Sequence, residues 1–373
     1  MKIPIKVGII GGGVNSAIGS VHMASLRIDS KYEIGPCYFS TLEEENKKSH
    51  KFYSLPWYGH FNDIDSWLNK YANSIDLIII LTPSTDHASQ IIKIAKLGLS
   101  FLTEKPICCS LNELDSIKNC LENNKNISAR FVHNYSGYPM YREMVLRIKK
   151  KEIGNIHHVR VQMPSDGYAR EEITGRPQLW RQKDPYIPMI MLDLGTHLHH
   201  LVSMAIGDSN SRIKSRMHQM VNKMGVIDNV EIWEERSDNI KVTYWMSKAH
   251  LGLKNGLNIE VYGEKGGFIW NQMDPDYLIK SDMESNNLKI NRGSISNEAS
   301  LRDRFKAGHP TGFIDAFAYF YSDMADDIIA EKEGLNRSLW IKPIKNAFRG
   351  IEFLAAAKES YLKDKWVNLT LIN

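Results

Sequence analysis

Lys6-Val7-Gly8-Ile9-Ile10-Gly11-Gly12-Gly13 is the stretch on which the fold of this 373-residue chain turns. A short β-rich run empties into glycines, and a helical segment from about Ser20 to Arg27 follows Gly19, so the order reads strand, glycine turn, helix. Glycines let the backbone turn sharply and approach a pyrophosphate closely, while the helix amino terminus offers unpaired N–H groups and a partial positive charge. The turn departs from G-x-G-x-x-G, because Val14-Asn15-Ser16-Ala17-Ile18 separates Gly13 from Gly19. Taken alone it also fits a simple tight turn.

Outward from this turn, Tyr32 to Phe39, Ile75 to Leu81, Leu99 to Thr103 and Ile127 to Val132 read as strands with helical patterns between them. That alternation predicts a doubly wound parallel sheet of the Rossmann kind, whose ligands collect at the carboxyl ends of the strands. Gly11, Gly13, Val14, Asn15 and Ile18 in the first turn, and Thr82 and Pro83 after the buried run to Leu81, are therefore candidates for holding a dinucleotide. Glu104-Lys105-Pro106 ends the next strand, and Pro106 restricts Lys105 to extended conformations. Where an acid would hold the ribose 2′-OH of NAD, Ser40-Thr41 stands instead. Lys47 or Lys48 reaches a 2′-phosphate if the intervening turn is helical, so the reading leans to NAD and leaves NADP open.

Beyond residue 131 the pattern changes to longer β-rich stretches: Ile156 to Met163, Arg212 to Met220, Val230 to Arg236, Ile240 to Ser247 and Leu257 to Trp270. They predict an α+β second domain on a large, mostly antiparallel sheet covered on one face. The expected division is a dinucleotide-binding domain over 1–131 and a second domain over 132–373, with a helix at 344–364 packing back on the first. Ser281 to Ser300 and Ser165 to Arg176 read as surface loops, and there is no internal repeat.

With 43% hydrophobic residues the chain has enough apolar material for two cores. Lys plus Arg number 47 against 43 acids, a net +4, and only Lys149-Lys150-Lys151 clusters, at a probable helix end where it complements the dipole. Nucleic acid is not the expected partner. No stretch approaches the about 18 apolar residues of a membrane span, and no signal peptide precedes the first strand, so the expected location is cytoplasmic. Cys37, Cys108, Cys109 and Cys120 lack CxxC spacing and neighbouring histidines, which reads as structural thiols and no metal site.

Thr82-Pro83, His87, Ala95, Gly98 and Glu104-Lys105-Pro106 in this order resemble the second cofactor-binding stretch of the Gfo/Idh/MocA oxidoreductases. The likeness continues through His133 to Met140, Trp180-Arg181, Asp193-Leu194-Gly195-Thr196-His197, Asp228-Asn229, Tyr262 to Gly267, Gly308-His309-Pro310 and Arg349 to Phe353. The extended opening from Gly11 to His22 is similar to that of the branch containing levoglucosan dehydrogenase. The resemblance implies that His197 takes or returns a substrate proton, Asp193 orients it or binds substrate, and Lys105 contacts the reacting hydroxyl. It adds His87, Glu104, Asn134, Trp180 and Arg181 to the cofactor candidates, beside Ser40, and Tyr135 and His309 to the substrate candidates. It further implies a sugar, anhydrosugar or cyclitol substrate and a homodimer or homotetramer formed through the second sheet.

The chemistry agrees. Oxidising a secondary alcohol needs a base for the hydroxyl proton while the hydride leaves the same carbon. Asp193 and His197, four residues apart at the start of a helical pattern running to about Ile206, share one helical face. Histidine titrates near neutral pH, and a lysine ammonium stabilises alkoxide charge. Each residue also has a plainer role: Asp193 as a helix N-cap, Lys105 as a surface lysine, Trp180-Arg181 as packing, and His199 and His200 as packing or surface histidines. Ile187-Pro188-Met189-Ile190-Met191 replaces the glycines that related sequences carry before this aspartate, which puts substrate identity in question. Two other functions fit the same features: a nucleotide-sugar 3-dehydrogenase of polysaccharide synthesis, and a nucleotide-sensing regulator without turnover.

Overall fold

The structure is a computed structural model, and it describes residues 4–170, 178–184 and 186–371. The chain forms two compact units: Met1–Gly137 with Gly312–Lys345, and Tyr138–Thr311 with Asn346–Asn373.

In the first unit, strands β1 (Ile5–Gly11), β2 (Tyr32–Tyr38), β3 (Leu77–Leu81), β4 (Phe101–Thr103) and β5 (Ala129–Phe131) form a parallel sheet in the order β2-β1-β3-β4-β5. The four expected strand segments after the first are all present, each slightly shorter at its ends. Helices α1 (Gly19–Ile28), α2 (Glu43–Phe52), α3 (Ile64–Tyr71), α4 (Ser84–Lys96) and α5 (Leu111–Glu122) connect them. The strand order reverses between β1 and β3, and this switch point opens a crevice at their carboxyl ends, where Gly11 pairs with Leu81.

In the second unit, α6 (Pro139–Lys149) precedes β6 (Ile156–Pro164), and α7 (Thr196–Ile206) precedes β7 (Ser211–His218), β8 (Asn229–Arg236), β9 (Lys241–Ser247), β10 (Asn258–Gly263), β11 (Gly266–Asn271), β12 (Tyr277–Ser281) and β13 (Asn287–Asn291). With β14 (Val367–Leu369) these make a nine-stranded sheet, antiparallel except where β6 runs parallel to β9. One face is covered: Phe353 of α10 (Ile344–Lys363) packs on Tyr244, and Trp270 packs between Tyr138 and Tyr141.

Three expectations change. Leu257 to Trp270 is not one stretch but a hairpin, in which Gly263 pairs with Gly266 across Glu264-Lys265. A Cβ on Gly266 would stand 2.1 Å from the Ser281 carbonyl oxygen, so only glycine lets β11 and the end of β12 approach there. Ser281 to Ser300 contains β13, a short 3-10 turn (Arg292–Ser294) and helix α8 (Asn297–Ser300) rather than only loop; of the other expected loop, 171–176 lie outside the described residues.

The third change is the division itself. Instead of one boundary after residue 131, the chain returns to the first unit at Gly312. The cause is α9 (Phe313–Glu333), whose Phe317, Phe320, Tyr321, Met324 and Ile328 share a buried cluster with Ile5, Val7, Ile9, Met23 and Leu26. Buried Arg130 of β5 adds ion pairs to Asp327 and Glu331 of α9, at 3.2 and 2.7 Å. Most of α10 belongs to the second unit, where the Ser215 hydroxyl donates to the Ala357 carbonyl at 2.6 Å. Phe317→Ala should therefore destabilise the dinucleotide-type unit, about 180 residues distant in sequence from its last strand, by about 3–5 kcal/mol in urea unfolding; a loss below 1 kcal/mol contradicts this placement.

Candidate functional site

At the carboxyl end of β1 the chain turns through Gly11 and Gly12, both with positive φ (75° and 72°). A Cβ on Gly11 would lie 2.7 Å from the Thr82 nitrogen, one on Gly13 2.7 Å from the Ser49 hydroxyl, and one on Gly19 2.0 Å from the Gly12 carbonyl oxygen. Side chains are thus excluded where backbone must come close to backbone. The loop is pinned from α2 and the residue after it: Val14 N–H donates to Ser49 Oγ, Asn15 Nδ2 to Glu45 and Tyr53 OH to the Gly12 carbonyl, at 3.1, 2.7 and 3.0 Å. Ser16 Oγ accepts from the Ile18 and Gly19 N–H groups at the start of α1. Ser40 Oγ accepts from Leu42 N–H, while Lys47 and Lys48 pair with Glu43 and Glu45 of their own helix.

At the neighbouring strand ends, His87 bridges two carbonyls, with Nδ1 2.6 Å from Pro106 O and Nε2 2.9 Å from Thr82 O. A neutral ring donates one proton, so one contact at a time is a full hydrogen bond. Burial holds this histidine below its ordinary value, against the opposing pull of the two carbonyls and of Glu104. Thr82 and Pro83 are thereby tied to the segment after Lys105.

Glu104 is buried and accepts from His22 through Oε1 (2.9 Å) and from Lys105 N–H through Oε2 (3.0 Å), while the other ring nitrogen of His22 lies 2.6 Å from Tyr321 OH. Burial alone would raise the Glu104 carboxyl; the hydrogen bond and charge of His22, with Lys105, outweigh it and hold the group below the usual carboxylate value. Glu104 thus partners a histidine inside its own unit and fixes the backbone of Lys105. Asn134 and Tyr135 are buried in a 3-10 turn (Asn134–Gly137) after β5, with Tyr135 6.0 Å from the ring of Phe313.

In the second unit, Asp193 lies within a π-helical turn (Met191–Gly195) that runs directly into α7. It is not a cap, since no side chain caps α7. A residue four positions on returns to nearly the same side of a helix whose bonds pass from i→i+5 to i→i+4, so Asp193 and buried His197 share a face. Asp193 Oδ2 accepts from Arg181 at 2.6 Å and from Lys248 at 2.7 Å. The Arg181 guanidinium stacks 4.3 Å over the ring of Trp180, which also donates to Gln178. Pi-helical turns are rare and concentrate at functional sites.

The apolar segment before Asp193 is core: Ile187, Met189, Ile190 and Met191 are buried, and Asp184 accepts from Met189 N–H and Ile227 N–H, both at 2.7 Å. His199 packs on Phe353 at 5.1 Å and His200 meets Asn346 at 3.0 Å, so both serve packing. His309 is exposed; its carbonyl accepts from Arg292 and its ring lies near Phe305, apart from the Asp193 cluster's contacts. Asp228 accepts three backbone N–H groups and Asn222, closing the β7–β8 loop. The four cysteines are free and buried, and burial pushes the Cys109 thiol up to about 11.

Sequence reasoning brought out the glycine turn, Thr82, His87, Glu104, Lys105, Asp193 and His197, but not Ser49, Tyr53, Tyr321 or Lys248. Lys248 carries the signal that singled out Lys105, a lysine just after a buried strand, here Met246-Ser247.

Residues 5–131 match the oxidoreductase family with an NAD-binding Rossmann fold, and residues 141–269 match the Gfo/Idh/MocA C-terminal domain. The fold and these matches define a nicotinamide-dependent oxidoreductase. The chain belongs to the Gfo/Idh/MocA family. It is similar to the oxidoreductase YfiI of Bacillus subtilis, 23% identical over 367 residues that cover 94% of this chain and 93% of that protein. In fold it resembles an inositol dehydrogenase homolog of Azotobacter vinelandii, complexed with NADH and myo-inositol, at TM-score 0.89 and 21% identity, covering 99% and 98% of the two chains. Levoglucosan dehydrogenase complexed with NADH aligns at TM-score 0.83 and 19% identity, over 99% of this chain and all of that one.

The glycine cradle fits NAD: positive-φ backbone, no Cβ, and a helix amino terminus directly beyond. Gly19→Ala should weaken NADH binding at least about tenfold, or about 1.4 kcal/mol, by fluorescence titration; unchanged binding contradicts the close approach. Glu104→Gln should cost about 1–3 kcal/mol at pH 7. Because the folded Glu104 value is depressed, its contribution is present above the ordinary carboxylate range and lost as pH falls through the folded value. The gap in Tm between wild type and Glu104→Gln should therefore close on acidification; a gap that stays constant with pH rules this out.

Proposed function

We propose that this enzyme oxidises a secondary ring hydroxyl of a sugar, anhydrosugar or cyclitol to the ketone, using NAD. The observation that carries this reading is Asp193 and His197 on one face of a helix that begins with a π turn, the carboxylate already compensated by two cations. Bound NAD supplies the hydride acceptor for the carbon bearing the hydroxyl.

His197 takes the hydroxyl proton on a ring nitrogen, and the negative charge of Asp193 stabilises the imidazolium that results. Lys105, its backbone fixed by Glu104, would supply an ammonium that stabilises alkoxide charge. The long loop from Gly13 to Gly19, Thr82, Pro83, His87, Asn134, Trp180 and Arg181 would serve NAD, and Tyr135 and His309 the substrate. The acids Glu43, Glu44 and Glu45 in the first turn of α2, with Lys47 and Lys48 paired to two of them, favour NAD over NADP, because a 2′-phosphate meets carboxylates there.

The exposed face of the second sheet supports a homodimer or homotetramer. A groove of about 350 Å³ runs along it, lined by Arg160, Gln162, Glu231, Trp233, Thr243 and Trp245. Trp233 and Trp245 give this otherwise polar face the aromatic surface that suits self-association.

The test offers purified enzyme myo-inositol, levoglucosan, glucose and a UDP-sugar, each with NAD and NADP, and follows the absorbance of the reduced cofactor. Turnover is expected with a free cyclitol or sugar and NAD, and His197→Ala should lower kcat/KM by about 10²–10⁴-fold. Turnover confined to the UDP-sugar overturns the substrate class, and full activity in His197→Ala overturns the assignment of the base.

A further inference from the structure

Asp193 carries two cations on one oxygen, and they stand on different supports. Arg181 belongs to a four-residue 3-10 turn (Leu179–Gln182) and leaves a quarter of its side chain exposed. Lys248 follows β9, a strand hydrogen-bonded on both sides, to β6 and β8. Its own backbone is held three ways: its N–H donates to the Asp228 carbonyl at 2.9 Å, and its carbonyl accepts from Tyr168 and Ala169 at 2.8 and 3.2 Å. Its ammonium lies 5.0 Å from the centre of the Tyr168 ring, and only 11% of the side chain is exposed. Burying a lysine this far is costly unless it meets a carboxylate, and here that carboxylate is Asp193, at 2.7 Å.

We propose that Lys248 is a positioning residue for catalysis: through its ion pair it fixes the plane of the Asp193 carboxylate and tempers the negative charge that Asp193 presents to His197. The inference rests on the reading of Asp193 and His197 as orienting acid and base. Two cations gripping one oxygen leave the second oxygen a single direction, which a rotatable carboxylate lacks. They also set the charge balance. Among the described residues of this unit, the groups facing Asp193 include Arg181 and Lys248 as cations, His197 on its own helix, and Tyr168, whose hydroxyl is held up by burial and by Asp193, with Asp184 and Asp228 adding to the effect and Arg181 opposing it. Asp184 and Asp228 are already bound by backbone N–H groups, so they remain a constant background. Lys248 is the member of this set that a single substitution neutralises without touching the Arg181 turn. Removing its charge strengthens the field of Asp193 at His197 and favours the imidazolium.

The experiment needs no substrate. The full-length enzyme is labelled in its histidine rings, and the His197 resonance, identified by its loss in His197→Gln, is titrated by NMR. Lys248→Met should raise the His197 midpoint by about half to one pH unit, and Lys248→Arg should return it to within a fraction of that shift. In an Asp193→Asn background the effect of Lys248→Met should fall by at least half, because the carboxylate through which Lys248 acts is gone. An unchanged midpoint in folded Lys248→Met, or the same full shift with Asp193→Asn, overturns the proposal. If Lys248→Met does not fold, Lys248→Gln replaces it with the same expected shift and the same overturning result. Failure of the general base shows separately, as turnover surviving in His197→Ala, so the two readings fail by different measurements.

Discussion

A carboxylate drawn away from water must find positive charge and donors, and buried Glu104 and half-buried Asp193 each organise part of this protein. Glu104 recruits His22 from α1 and the N–H of Lys105, and the far nitrogen of His22 reaches Tyr321 on α9. One buried charge thereby ties the end of β4 to two helices, one from each end of the chain. Asp193 recruits Arg181 and Lys248 in the same way in the second unit. Removing one partner from such a set leaves charge less fully compensated, so the geometry is favoured by the cost of the alternatives. The direction of Lys105 and the placement of Asp193 both follow from this constraint.

The buried parallel strands were legible because both of their faces are covered, so each reads as an unbroken apolar run: Leu77-Ile78-Ile79-Ile80-Leu81 has no exposed residue. β13 was not legible for the converse reason. Asn287-Leu288-Lys289-Ile290-Asn291 is an edge strand with one buried side chain, Ile290, and its identity as a strand comes from pairing with β12 rather than from its own pattern. The hairpin at Glu264-Lys265 was hidden because both flanking strands are β-rich and only two residues separate the paired glycines.

The affiliation of α9 and the partners of Asp193 were invisible for a different reason: both are matters of long-range contact. An amphipathic helix shows that it has an apolar face, but not which core receives it. Phe317 and Tyr321 would suit either unit by pattern, and the steric and polar fit to α1 decides. Asp193 and His197 were legible as a pair because their spacing is local, whereas Lys248 is 55 residues from Asp193, and its place after a strand does not say which carboxylate it meets.

The long glycine loop shows how a departure from a motif can preserve its physics. In the compact fingerprint, glycines and the helix start are adjacent, and the free N–H groups of the first turn face the ligand. Here the inserted Val14-Asn15-Ser16-Ala17-Ile18 brings its own internal bonds: Ser16 N–H closes a turn onto the Gly13 carbonyl at 2.8 Å, and the Ser16 hydroxyl takes the Ile18 and Gly19 N–H groups. Ser49, Glu45 and Tyr53 then hold the loop from outside. A longer loop has more conformations to lose on binding, and these bonds remove that freedom before any ligand arrives. Pre-ordering compensates for length, and residues on α2 and just beyond it, remote from the glycines in sequence, supply it.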